Sequence, residues 1–332
     1  MRPQLTDPFR IGDVEVANRV LLAPLAGIGN WFVRLQARRH GAGLAVSEMV
    51  SSFGLHYRNE RTLRELLRLH PEEHPVSVQL FGQDPEVMRS AAATAADAGA
   101  AIVDINMGCP VRKVCKTGSG AALLRDHELA VKLATAAREG GRRPVTVKPR
   151  FGVEPGGREG FELALKLVDR AGVAAIAFHP RAAATHHRGR PDYALARELA
   201  AALEAPMIIS GGLDSADAAR RAYEQSNADA VMIARGSLGN PWIFEELTGR
   251  RAEPPSDDEI TAELLWVIDR AEEHLGPARA ARYLRKFYPW YLERLGADKA
   301  ALAAFQASDD LADARRLVGE LAAADRREPI AA

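Results

Sequence analysis

Cys109, Lys148, His179, Arg235, Gln79 and Asn106 each stand in or at the end of a short apolar run. Cys109 follows Asp104-Ile105-Asn106-Met107-Gly108 and precedes Pro110. A thiol with an unperturbed pKa near ~8.5 is mostly protonated at neutral pH, so Cys109 can give up a proton as well as act as a nucleophile. Gln79 can donate and accept at once, which suits a ring with alternating carbonyl and N–H groups. Lys148 and His179 are donors suited to the end of a flat ring where negative charge collects on reduction. Ser210-Gly211-Gly212 and Ala234-Arg235-Gly236 combine backbone that can approach a phosphate with a fixed positive charge. A phosphorylated planar heterocycle fits this set, and flavin mononucleotide (FMN) is the natural candidate. A Rossmann dinucleotide loop is not expected, because Gly118-Ser119-Gly120 lacks the third glycine.

Taken singly, each residue also has a structural reading. Gln79 could be a hydrogen-bonded core amide, His179 a satisfied structural histidine, and Lys148 a snorkelling side chain. The glycine pairs could be plain turns. Cys109 could be a small buried hydrophobe, the reading adopted for Cys115. Their common placement favours one site, and the elements that carry them supply that placement.

Eight short apolar runs punctuate the chain: Val20–Ala26, Leu44–Met49, Val76–Phe81, Ile102–Asn106, Pro144–Pro149, Ala174–His179, Pro206–Ser210 and Ala230–Ala234. Alanine-rich stretches of helical periodicity lie between them, among them Pro85–Ala98, Asp126–Glu139, Gly160–Ala171, Ala194–Leu203 and Ser215–Tyr223. Near-continuous apolar strands alternating with amphipathic helices imply parallel strands covered on both faces. The unit count predicts an α/β fold, a (β/α)8 TIM barrel, with an open doubly wound sheet as the alternative. In such a barrel the C-terminal strand ends carry the active residues, and the polar and glycine-rich positions above are those ends.

Thr248–Asp258 is polar and proline-bearing and reads as a linker, after which only helical periodicity continues, through Ile260–His274, Ala278–Leu295 and Leu311–Ala324. The expected organisation is a barrel over residues 1–247, a linker over 248–258 and a small helical domain over 259–332. The 44 basic and 44 acidic residues balance, which argues against a protein that coats polyanions over its whole surface. Two cysteines without a Cys-x-x-Cys pair make no disulfide framework and no zinc cage, so no metal is expected. No apolar run reaches the ~18 residues of a membrane helix and no signal peptide is read, so the expectation is a cytoplasmic protein, as a monomer.

These residues resemble the bacterial tRNA-dihydrouridine synthases, most of all their B class. The resemblance rests on Ala23-Pro24-Leu25-Ala26-Gly27, Ser47-Glu48-Met49, Val78-Gln79-Leu80-Phe81-Gly82 and, above all, Asp104 through Pro110. It continues through Lys113-Val114-Cys115-Lys116, Gly120-Ala121-Ala122-Leu123-Leu124, Val147-Lys148-Pro149-Arg150, His179-Pro180-Arg181 and Ala234-Arg235-Gly236, to Gly239-Asn240-Pro241-Trp242-Ile243-Phe244. It implies reduction of the C5–C6 double bond of selected tRNA uridines, with NADPH reducing FMN and hydride passing from FMN N5 to C6. Cys109 would protonate C5, Asn106 would help hold the uracil, and Arg181 would sit near it. The flavin contacts would fall on Pro24, Leu25, Ala26, Gln79, Lys148, His179, Ser210, Gly211, Gly212, Ala234 and Arg235. The sequence departs from the family pattern at Gly29-Asn30, at Pro180-Arg181-Ala182-Ala183 and at Ser210-Gly211-Gly212. Thr185-His186-His187-Arg188-Gly189 could restore polar contacts in the second of these.

The helical region adds its own signal. Arg279, Arg282 and Lys286 fall at i, i+3 and i+7, one face of a continuous helix. Arg285 and Arg294 add charge against the single acid Glu293, and Tyr283, Phe287, Tyr288, Trp290 and Tyr291 interleave. Basic charge with aromatics suits phosphate contact and base stacking, so Arg279, Arg282, Arg285 and Lys286 are expected to meet tRNA. The aromatics could instead pack the helix onto its neighbours. Two other readings are an FMN-dependent ene-reductase or dihydropyrimidine dehydrogenase acting on a free small molecule, and a non-catalytic tRNA-binding protein. The basic helix argues against the first, and Cys109 with Lys148 against the second.

Overall fold

The computed structural model describes residues 2–325. The end of the expected helical domain, 326–332, lies outside the described residues. In chain order the strands are β1 (Phe9–Ile11), β2 (Val14–Val16), β3 (Val20–Leu22), β4 (Leu44–Val46), β5 (Val50–Ser51) and β6 (Val76–Phe81). They continue with β7 (Ile102–Met107), β8 (Val145–Gly152), β9 (Ala175–Ala182), β10 (Met207–Ser210) and β11 (Ala230–Ile233). The strands β3, β4 and β6 to β11 pair in parallel around a ring, closed by β11 with β3 and by β4 with β6, while β5 only extends the pairing of β6. This is the expected eight-stranded barrel and not the open sheet.

Helices lie in the connections between the strands, α1 (Trp31–Arg39), α2 (Ser52–His56), α3 (Pro85–Asp97), α4 (Arg112–Cys115), α5 (His127–Gly141), α6 (Glu159–Ala171), α7 (Tyr193–Ala202) and α8 (Ala216–Ser226), and α9 (Ile243–Leu247) follows the last strand. Their starts follow from local chemistry. Asn30, Asp84, Asp126, Asp192 and Ser215 each accept backbone N–H groups at a helix start, satisfying donors that have no partner within the helix.

Alternation along the strands sorts side chains to the barrel interior. The lower interior is apolar, with Leu21, Leu44, Val46, Ile102, Ala175, Ile208 and Ala230 in one cluster. Phe9, Ile11 and Val16 of the β1–β2 hairpin belong to the same cluster. A methyl group at the hairpin's Gly12 would meet Pro144, just before β8, so the hairpin covers the N-terminal mouth of the barrel. No sequence run signals this hairpin, because its strands are three residues each.

One buried ion pair fixes the loop after β3. The Arg34 guanidinium on α1 donates to both Glu73 carboxylate oxygens, at 2.7 and 3.0 Å, with both side chains fully buried. The same guanidinium donates to the Gly29 carbonyl at 2.9 Å and the Arg68 carbonyl at 2.8 Å.

The chain forms two compact units: residues up to Gly236 together with Ile243–Arg250, and Ser237–Trp242 together with residues from Arg251 onward. The second unit contains α10 (Asp257–Leu275), α11 (Pro277–Leu284), α12 (Tyr288–Arg294), α13 (Lys299–Ala307) and α14 (Leu311–Asp325). Ser256 and Glu259 cap the start of α10 reciprocally. Within this unit the strap Ser237–Trp242 passes close to α12, since a methyl at Gly239 would lie 2.7 Å from the Trp290 backbone. The continuous helix expected over Ala278–Leu295 is not observed; it divides into α11 and α12. Pro289 in the first turn of α12 supplies the reason: it offers no N–H and its ring crowds the carbonyl four residues back, at Arg285. No helix among the described residues is long and apolar enough to cross a membrane.

Glu73→Ala leaves the Arg34 charge buried and unpaired, and should lower the stability of the barrel by about 3–5 kcal/mol. The check is urea unfolding, where the midpoint should fall at unchanged denaturant slope.

Candidate active site

The C-terminal mouth of the barrel holds a cavity of about 370 Å³, in the range of small-ligand sites. Strand alternation explains which side chains reach it. On β8, Thr146, Lys148 and Arg150 share the inward face; on β7 it is Asp104 and Asn106; on β9, His179 and Arg181. Every barrel residue expected to meet flavin or substrate lines the cavity: Pro24, Leu25, Ala26, Gln79, Asn106, Cys109, Lys148, His179, Arg181, Ser210, Gly211, Gly212, Ala234 and Arg235. Arg181 lies within β9, which continues past the sixth apolar run to Ala182.

Hydrogen bonds hold the floor. Gln79 Nε2 donates to Asp104 Oδ2 at 2.6 Å, and Asn106 Nδ2 donates to Gln79 Oε1 at 2.9 Å. Thr146 Oγ1 donates to Asp104 Oδ1 at 2.5 Å. Asn106 Oδ1 in turn accepts from the N–H groups of Cys109 at 2.9 Å and Gly108 at 3.3 Å, which makes the turn that carries the thiol. Cys115 takes a structural place: its thiol donates to the Cys109 carbonyl at 3.3 Å. Above the floor, Lys148 Nζ donates to Ser210 Oγ at 3.4 Å, and Arg150 Nε to the Gly108 carbonyl at 2.9 Å.

Backbone freedom matters at Gly211. Its φ of +100° lies where side chains are strained, and a methyl there would stand 2.5 Å from the His179 ring. Glycine lets the β10 turn pass against that imidazole, and Tyr193 Oη donates to the Gly211 carbonyl at 2.8 Å.

Burial and mutual charge set the protonation states. Burial lowers Lys148 to about 8, opposed by Asp104. Burial raises Asp104 to about 6, opposed by the hydrogen bonds from Gln79 and Thr146 and by Lys148. Burial, together with the charges of Lys148, Arg150 and Arg181, pushes His179 well below the ordinary histidine value, so the ring is neutral at pH 7. Burial also pushes the Cys109 thiol up, which keeps it protonated. The site thus presents a protonated thiol beside a group of cations, suited to an anionic, planar ligand and to delivering a proton.

Met49, Arg150 and His187, which stand in segments noted in the sequence but carry no expected site role there, also line the cavity. Arg150 was accessible through its spacing: it lies two residues beyond Lys148 and so shares its face. Asp104, beneath the cavity, follows from the same period, two residues before Asn106.

A family model described as Dihydrouridine synthase (Dus) matches residues 21–325. The chain belongs to the dihydrouridine synthase family. It is 38% identical over 308 residues to tRNA-dihydrouridine synthase B of Pseudomonas aeruginosa, covering 91% of this chain and 92% of that protein. It is 37% identical over 288 residues to tRNA-dihydrouridine synthase B of Xanthomonas axonopodis pv. citri, covering 85% and 86%. Among solved structures, a 2-naphthoyl-CoA reductase complex superposes with a TM-score of 0.60 at 15% identity, over 78% of this chain and 54% of that one. The old yellow enzyme homologue of Zymomonas mobilis gives 0.57 at 17% identity, over 77% and 95%. At such identities these structures speak for the barrel fold.

The second unit corrects part of the expected basic face. Phe287, Tyr288 and Tyr291 are buried at 3%, 1% and 1% exposure, and the Tyr288 ring packs on Phe305 with centroids 5.0 Å apart, so these rings serve the helical core. Arg285 pairs with Asp309 at 2.9 Å and donates to the Ser308 carbonyl at 3.2 Å. Arg279 and Arg282 on α11 and Lys286 just beyond it are exposed, but the break before α12 means that they do not share one continuous helix. Lys286 Nζ lies 3.9 Å from the centre of the half-buried Tyr283 ring.

Between pH about 8 and 10.5 the folded chain holds fewer protons at Lys148 than the unfolded chain, so this group's contribution to stability rises with pH across that window. Lys148→Met should therefore flatten the rise in urea midpoint over that window. An equal rise in both proteins would show that the amine is not depressed.

Proposed function

We propose that this chain is a tRNA-dihydrouridine synthase that binds FMN in the barrel cavity and reduces the C5–C6 bond of a tRNA uridine. The supporting observation is the convergence, in a chain of this family, of protonated Cys109 with Gln79, Lys148, His179 and Arg235 around one cavity. FMN suits this donor set. Arg235 and the backbone at Gly211, Gly212 and Ala234 would hold its phosphate, Gln79 would meet the alternating carbonyl and N–H edge of its ring, and Lys148 and His179 would face the part that gains charge. Pro24, Leu25 and Ala26 would bound the ring. When bound, FMN supplies the two-electron reducing equivalent, replenished by NADPH.

The chain's own residues supply the rest. Reduction at C6 leaves enolate character that needs an acid at C5, and Cys109 gives its proton there. Asn106 and Arg181 hold the uracil. A uridine folded into tRNA must be extruded to reach a cavity at the barrel mouth, the usual solution for chemistry on a base. The helical unit, through Arg279, Arg282 and Lys286, contacts the tRNA backbone, and the barrel is the catalytic domain. The chain works in the cytoplasm as a monomer.

The test is anaerobic. The protein's flavin is reduced, unmodified tRNA is added, and flavin reoxidation is followed. Reoxidation by tRNA but not by free uracil or enones supports the reading, while reoxidation by enones alone points to a small-molecule reductase. Cys109→Ala should retain flavin and slow the turnover of tRNA by about 10²-fold or more, the scale of a lost general acid.

Reversing the charge at Arg282 and Lys286 together should weaken tRNA binding and reduce the salt slope of log affinity by about 2, if each meets one phosphate. Oxidation of the reduced flavin by oxygen should not change. An unaltered affinity would assign tRNA binding to other residues.

A further inference from the structure

Asp104 does not line the cavity, yet every link in the cavity floor leads back to it. It is 2% exposed, and each of its oxygens is engaged, one by Gln79 Nε2 at 2.6 Å and the other by Thr146 Oγ1 at 2.5 Å. An ionised carboxylate can only accept hydrogen bonds. It therefore holds Gln79 with its amide nitrogen toward β7 and its Oε1 toward Asn106. Asn106 answers by donating Nδ2 to that oxygen at 2.9 Å, which leaves Oδ1 for the Cys109 N–H at 2.9 Å. With Gln79 turned over, its NH2 would face the NH2 of Asn106. Asn106 would then present a donor to the donor of Cys109.

We propose that Asp104 is a positioning residue for Cys109, whose carboxylate sets the donor-to-acceptor direction of Gln79 and Asn106 and through them the turn that holds the thiol. The catalytic importance of that thiol rests on the synthase reading; the relay is a property of the fold and can be measured without tRNA or reductant.

The experiment follows alkylation of Cys109 by iodoacetamide in the flavin-loaded protein, with Cys115→Ser to remove the second thiol. Asp104→Leu and Asn106→Ala should each speed alkylation of the half-buried thiol by about fivefold, the worth of one ordinary hydrogen bond. The double variant should react no faster than Asn106→Ala alone, because both changes cut the same chain. Asp104→Asn should stay within about twofold of the parent, since its amide oxygen can still accept from Gln79 while its NH2 donates to the Thr146 hydroxyl. A parental rate for Asp104→Leu, effects that multiply in the double variant, or an Asp104→Asn rate like that of Asp104→Leu would each overturn the proposal. If Asp104→Leu does not fold, Gln79→Leu cuts the chain at its middle link and must give the same acceleration and the same lack of additivity with Asn106→Ala. Independent or absent effects there overturn it equally. Failure of tRNA to reoxidise the reduced flavin would instead remove the synthase reading and leave the relay standing.

Discussion

Closing eight parallel strands into a ring leaves the inward side chains with few routes to water. Here the lower route is shut, because Phe9, Ile11 and Val16 of the hairpin join the apolar cluster at the N-terminal end. Polar groups that face inward must therefore gather at the other end or be paired where they lie. Gln79, Asp104 and Thr146 are adjacent in register on β6, β7 and β8, and they pair with one another. Lys148, Arg150, His179 and Arg181, nearer the strand ends, line the cavity.

The electrostatic character of the cavity follows from the same confinement. Burial penalises each charge, so Lys148 and Arg150 fall below their ordinary values and Asp104 rises above its own. Asp104 partly offsets the cost of Lys148, and the arginines worsen the position of any further cation. His179 consequently remains an uncharged imidazole, able to donate or accept according to its tautomer. Cys109 is shifted the other way for a thiol, toward its protonated form, and that is the form an acid catalyst needs. One cause, removal from water, therefore produces a weakened base, a neutral ring and a retained thiol proton side by side.

Much of this was legible in the chain because barrel chemistry concentrates at strand ends, where a polar residue interrupts an apolar run. Lys148 after Val145-Thr146-Val147 is such an interruption, as is Asp104 after Ile102-Val103, and Cys109 follows that run across Met107-Gly108. What remained hidden had weaker or competing signals. The strands β1 and β2 are too short for alternation to register. The strands β8 and β9 run on to Gly152 and Ala182, beyond the apolar runs that end at Pro149 and His179, because types alone do not separate the last residue of a strand from the first of a loop. In the second unit, helical periodicity ran across Pro289, and Tyr288, one of the aromatics expected to suit base stacking, instead packs on Phe305 of α13. The spacing of Arg279, Arg282 and Lys286 was real, but it presupposed a straight helix.

A helical unit joined to a barrel by one linker can be lost or exchanged through a single break in the chain. The connection here is of another kind. After Gly236 the chain enters the helical unit, leaves it after Trp242, and enters it again at Arg251. Trp242, 2% exposed, belongs to the helical unit even though it precedes the last helix of the barrel. A barrel cut after Arg250 would keep the strap Ser237–Trp242, which begins two residues after Arg235 of the cavity lining, and lack the helices that the strap belongs with. The two units are interlaced in the chain, so no single cut parts one cleanly from the other.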